Sequence, residues 1–159
     1  MHAPINKRIP VKDRFWAKVD KSDKCWNWTA STDRTGYGKF MFEGRLQPAH
    51  RLSFSRLKGE IPDGLVIDHM CFNRVCVNPD HLRLATTKQN NENRSGADSD
   101  SRSGIRGVYF QKGWWFAQVS EGGEVVFREK FRAKEEAAVA AAQARLRMFT
   151  HTQEPLVSA

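Results

Sequence analysis

The sequence predicts an α+β chain: a small metal-stapled domain of short strands and helices, then a three-stranded antiparallel sheet packed on one helix. Three observations predict it. Residues 67–82 hold two His, two Cys, two Asp and two Asn-led turns (Asn73-Arg74 and Asn78-Pro79) between brief apolar runs. Residues 95–104 form a Ser/Gly/Asp run with no apolar anchor, which reads as a linker. Beyond it, three strand-like runs lead into an Ala-rich helix. The expected organisation is an arm at 1–13, a first domain at 14–94, the linker at 95–104, a second domain at 105–150 and a tail at 151–159.

Within the first domain, residues 14–19 suit a short helical turn whose Phe15 and Trp16 cover a sheet. Residues 25–29 alternate as a strand does, with Trp26 and Trp28 on one face. Cys25 then faces the other side, where it can reach the loop cysteines. A turn at 33–36 leads to a strand at 37–42, and Glu43-Gly44 makes a hairpin turn. Residues 49–57 carry apolar side chains at helical spacing, and Lys58-Gly59 ends that helix. A tight turn at 59–64 delivers the chain to a strand at 65–67, and 82–85 reads as its partner. Thr86 is a good N-cap, and Gln89 three residues later completes a capping box, so a helix starts near Thr87.

In the second domain, strands are expected at 107–110, 114–119 and 124–128, with turns at Lys112-Gly113 and Gly122-Gly123. The helix runs from 133 to about Met148. Ala137, Ala141, Ala144 and Met148 fall on one face, small enough to lie close against a sheet. One helix covers one face of the sheet. The other is left open, with Trp, Tyr, Gln, Lys and Arg on it.

Charge and cysteine usage narrow the partners. The 159 residues carry a formal charge of +8, spread along the chain, which points to a polyanion. No apolar run approaches the ~20 residues of a membrane span, and the N-terminus lacks the apolar segment of a secretory signal. A cytosolic protein without a membrane partner is expected. Three cysteines, Cys25, Cys71 and Cys76, argue against a disulfide framework. With one well-spaced His they fit a tetrahedral Cys3His zinc site. His81, at the exit of the loop, is the expected fourth ligand, and His50 the alternative; packing is the favoured fate of His50. A full shell of four makes such a zinc structural.

The Asp68-His69 pair followed by Cys71, Cys76, His81 and Asn90 resembles the HNH nucleases, also called His-Me finger or ββα-metal nucleases. The likeness is strongest to their zinc-stapled, phage and homing branch, and it spans roughly residues 25–94. It implies that His69 is the general base and that Asp68 and Asn90 hold a catalytic Mg²⁺ or Mn²⁺. It further implies that Cys71, Cys76 and His81 are zinc ligands and that Arg51 contacts the scissile phosphate. The chemistry suits the residues. A phosphodiester needs a base of near-neutral pKa to deprotonate water, and hard oxygen donors suit Mg²⁺. Neighbouring strand residues face opposite ways, however, so Asp68 and His69 converge only if the strand ends there and bends.

Residues 104–149 resemble the apetala/ethylene-response-factor type of DNA-binding domain. The likeness rests on Arg106-Gly107-Val108, on 115–119, and on Lys130-Phe131 followed by 135–138. Glu129, Tyr109 and Gln111 depart from that family's pattern. By their own chemistry Arg106, Lys112 and Arg128 can hold phosphates, and Tyr109, Gln111, Trp114 and Gln118 can touch base edges or methyl groups in a major groove; a slip of one register would swap the set. Together the two resemblances imply a DNA endonuclease, monomeric or homodimeric, cutting double-stranded DNA to 5′-phosphate and 3′-hydroxyl ends in a phage or bacterial cell. The alternatives are a catalytically inert, sequence-specific DNA-binding protein on the same scaffold, and an RNA-directed nuclease.

Overall fold

The computed structural model describes residues 9–22 and 24–153. Most of the expected arm and the end of the expected tail lie outside the described residues. Two compact units divide between Thr86 and Thr87, ahead of the 95–104 stretch. Each is described by itself.

The first unit opens on helix α1 (Val11–Trp16), with Pro10 at its N-cap and Phe15 buried. The helix therefore claims residues 11–13, expected in the arm; Pro10 pre-sets the entry to its first turn. β1 (Val19–Lys21) pairs antiparallel with β2 (Trp26–Trp28). β3 (Lys39–Phe42) pairs with β4 (Arg45–Pro48) across Glu43-Gly44, both at positive φ, as a two-residue hairpin turn demands. Helix α2 (Ala49–Leu57) follows directly. Phe15, Trp28, Phe40, Ala49, Leu52 and Val77 form the core, with the rings of Phe15, Trp28 and Phe40 edge-on or tilted at 5.2–5.8 Å.

β5 (Val66–His69) pairs antiparallel with β6 (Leu82–Ala85), and a smaller cluster of Phe54, Ile67 and Leu82 lies beneath. The loop between them is tied to β2. The Trp28 N–H donates to the Val75 carbonyl at 2.8 Å, and the Val77 N–H donates to the Trp26 carbonyl at 2.7 Å. This pairing lays Cys76 beside Asn27 and close to Cys25.

The second unit begins with helix α3 (Thr87–Glu92). β7 (Val108–Gln111), β8 (Trp114–Glu121) and β9 (Glu124–Phe131) form an antiparallel meander, and helix α4 (Lys134–Met148) packs on it. The core joins Val108 and Ala117 of the sheet to Ala137 and Ala141 of the helix, and Ala144 is buried too. Met148 is not; at the end of α4 it is exposed, past the sheet that would cover it. Among the described residues no helix is long and apolar enough to cross a membrane.

Gly107 shows how tightly α4 and the sheet close. It has φ +72°, and a Cβ there would sit 2.4 Å from the Gln118 carbonyl oxygen and 3.2 Å from the Arg145 guanidinium. The Gln118 N–H already donates to the Gly107 carbonyl at 2.7 Å, so the backbones cannot part without losing that bond. Gly107→Ala should cost about 2 kcal/mol or more and lower the unit's melting midpoint by roughly 8–16 °C. An unchanged midpoint in a thermal melt would disprove the fit.

Candidate active site and metal centre

Cys25, at the start of β2, meets Cys71, Cys76 and His81 of the β5–β6 loop. One donor atom from each lies within 4.8 Å of the others. The His81 Nδ1 is 3.5 Å from the Cys25 Sγ and 3.6 Å from the Cys76 Sγ, matching the ~3.6 Å N–S edge of a tetrahedral zinc site. The donor set and its compactness fit a structural zinc. Burial pushes the Cys76 thiol up to about 12 and raises that of Cys71. A cation must therefore displace thiol protons to bind. Asn78 shapes the loop exit: its side chain accepts from the Asp80 N–H and donates to the Lys24 carbonyl. His50 takes no part in the cluster.

Cys76 has a second contact. Its carbonyl oxygen lies 3.0 Å from His69 Nε2, and His69 is only 7% exposed. A carbonyl only accepts, so Nε2 carries the proton and the lone pair of the neutral ring sits on Nδ1. Burial holds the His69 pKa below its ordinary value, against the opposing influences of the Cys76 carbonyl and Asp68. Burial thus favours the neutral ring, with its proton on Nε2.

Asp68 is 3% exposed and faces its cross-strand partner Arg83, whose Nε and Nη2 both donate to Oδ2 at 2.8 Å. The strand does not end before His69. It runs through that residue, and the bend comes afterwards, where Phe72 takes a positive φ of 58°. Asp68 and His69 thus occupy successive strand positions with different partners. Arg51 lies in the first turn of α2, half-buried. Asn90 lies on α3 in the second unit, also half-buried.

His50 packs against the candidate base. Its ring centroid is 4.8 Å from that of His69 and 5.2 Å from that of Tyr37. Its Nδ1 is buried with no hydrogen-bond partner among the described residues. Burial first, then the nearby His69 and Arg51, lower its pKa from 6.5 to about 3. An unfolded His50 takes up its proton near pH 6.5 and the folded one does not, so stability falls as pH drops from 6.5 toward 3. The slope is up to ~1.4 kcal/mol per pH unit. Urea midpoints of the wild type should therefore fall more steeply across pH 6.5–4 than those of His50→Gln; parallel slopes would refute this.

On the second unit, Trp115, Phe127 and Phe131 face α4. Alternation and register put Tyr109, Gln111, Trp114, Phe116, Gln118, Arg128 and Lys130 on the opposite, open face. Tyr109 and Phe116 stack at 5.3 Å with Arg128 over both rings, and Lys130 and Arg132 sit over Trp114 at 4.8 and 3.6 Å. Phe116, Lys130 and Arg132 were absent from the expected set, although the period-2 pattern holds the first two. Lys112 is at the β7–β8 turn. Arg106 is directed elsewhere: it donates to the Glu92 and Arg94 carbonyls and lies over Phe149.

The HNH endonuclease family model matches residues 47–92, a span that includes Cys71, Cys76 and His81 of the Cys3His cluster and the buried His69. Three curated phage proteins are similar in sequence. Protein 7.7 of Escherichia phage T7 is 37% identical over 44% of this chain and 54% of its own length. Protein 2.8 of the same phage is 34% identical over 43% and 48%, respectively. The uncharacterized gene 5.3 protein of Enterobacteria phage T3 is 40% identical over 38% and 54%. The chain spans about half the length of each of these relatives. No solved structure gives a significant match.

Proposed function

We propose that this chain is a metal-dependent DNA endonuclease of the phage HNH type. The observation that carries the reading is His69, buried, neutral and held with its proton on Nε2 by the Cys76 carbonyl, inside the segment the family model matches. In this reading Nδ1 takes a proton from water, the water oxygen bonds to phosphorus, the bond to the 3′ oxygen breaks, and that oxygen takes a proton from solvent. The products are 5′-phosphate and 3′-hydroxyl ends.

Asp68 and Asn90 offer hard oxygens that suit Mg²⁺ or Mn²⁺. When bound, such a cation supplies positive charge against the phosphate. Arg51 adds a further cation. The Cys3His cluster takes zinc and holds the loop rather than the substrate. Residues 105–150 act as the DNA-binding domain, laying the open face of β7–β9 on double-stranded DNA through Tyr109, Gln111, Trp114, Gln118 and Arg128, with Lys112 at its rim. Arg106, already bound to two carbonyls, is withdrawn from the phosphate contacts.

One observation favours a second reading, an inert DNA-binding protein. The Asp68 carboxylate is already neutralised by Arg83, with which a cation would compete. Cleavage of supercoiled plasmid in Mg²⁺, with zinc retained, separates the two. Nicking or linearisation by the wild type and binding without cleavage by His69→Ala support the enzyme. Binding without cleavage by both supports the inert protein.

A further inference from the structure

Helix α3 is too short to hold itself together. Six residues lie well below the ~12–15 at which an isolated helix becomes even marginal in water. Its anchors come from the far end of the second unit. Glu92, 7% exposed, accepts from the Thr150 N–H at 3.1 Å and from the Thr150 hydroxyl at 3.5 Å. Lys88, one turn earlier, pairs with Glu121 at the end of β8. Gln89 donates to the Thr150 hydroxyl at 3.5 Å, and Arg106 donates to the Glu92 carbonyl at 3.1 Å. Lys88 and Glu92 share one face of the helix, and Asn90, two residues from each, points away from it.

We infer that the sheet-and-helix unit is a positioning device for Asn90, not merely a DNA-binding appendage. Glu92 is its key positioning residue, with Thr150 and the Lys88–Glu121 pair in support. The inference rests on the proposed reading, in which the Asn90 amide is a cation ligand. It goes further by making residues up to 60 positions downstream a condition for presenting that amide. A buried carboxylate that satisfies a backbone N–H and a hydroxyl is costly to remove, because both donors are then left without their acceptor.

The test uses the full chain and two readouts. Without metal or DNA, amide hydrogen exchange over residues 87–93 should quicken at least tenfold in Glu92→Ala. It should stay near wild type in Glu92→Gln, which keeps an acceptor. In plasmid cleavage, Glu92→Ala should lower kcat about tenfold or more and raise the Mg²⁺ concentration needed for half-maximal rate, while DNA affinity changes less than twofold. If Glu92→Ala fails to fold, Lys88→Glu replaces it and should show both effects, because it sets a carboxylate against both Glu121 and Glu92. Unchanged exchange in these variants overturns the inference. So does an unchanged kcat and Mg²⁺ dependence where Asn90→Ala and His69→Ala are inactive. Cleavage that survives His69→Ala and Asn90→Ala instead sinks the proposed site, while the exchange result still decides whether Glu92 holds the helix.

Discussion

Stripping the Cys3His cluster of zinc, or replacing Cys71 by Ser, is expected to unfold the first unit and leave the second folded. The β5–β6 loop gives one residue, Val77, to the main core of the unit, whose other five buried residues come from α1, two short sheets and α2. Two-stranded sheets are marginal alone, and this unit has three of them. The cluster joins the start of the β1–β2 sheet's second strand to the loop across 46 to 56 residues of chain, so it closes a long circuit in the unit. Structural zinc in small domains contributes on the order of 10 kcal/mol, comparable to the whole stability of such a domain. The second unit has its own Val108–Ala117–Ala137–Ala141 core and needs no metal for it. Hydrogen exchange on the chelated protein should show protection lost over residues 26–82 and kept over 114–145. A zinc-free chain with full protection in the first unit would refute the staple.

His69→Ala should lower the cleavage rate by about 10²–10⁴-fold, the range a general base supplies, with DNA affinity within about twofold of wild type. The substitution also orphans the Cys76 carbonyl and opens space beside His50, so a stability loss of about 1–3 kcal/mol accompanies it. Assays held well below the variant's melting midpoint separate the two effects. The space left by the ring offers a sharper check. Added imidazole should restore part of the rate in His69→Ala and none in a variant lacking Asp68. A rate loss under tenfold would remove His69 from the chemistry.

Much of this was legible in the residues. The ligand spacing from Cys71 to His81 and the alternation around Trp26 put all four donors in one cluster, because metal sites depend on few atoms at fixed separations. The meander and α4 followed from period and turn chemistry. What stayed hidden depended on partners distant in sequence. Arg83 acquires its meaning only from register, which sets it opposite Asp68. Nothing near Glu92 marks it as buried, since its partner Thr150 lies 58 residues on. Arg106 was read as a phosphate contact from its charge alone, but backbone carbonyls claim its donors. Pro10, within the stretch expected as an arm, marks a helix start.

The double contact of Cys76 has an evolutionary consequence. Its sulfur faces the metal cluster, but its backbone oxygen holds His69, and that oxygen is indifferent to the side chain. Ligand identity at this position is therefore open to drift, and a His in its place could keep both the cation and the His69 tautomer. Loop length is not open in the same way. Inserting a residue between Cys71 and Cys76 would let a flexible loop still gather the cation, yet it would shift the carbonyl from the imidazole. Lineages that vary here should exchange ligands freely and tolerate almost no change in the count of residues between them.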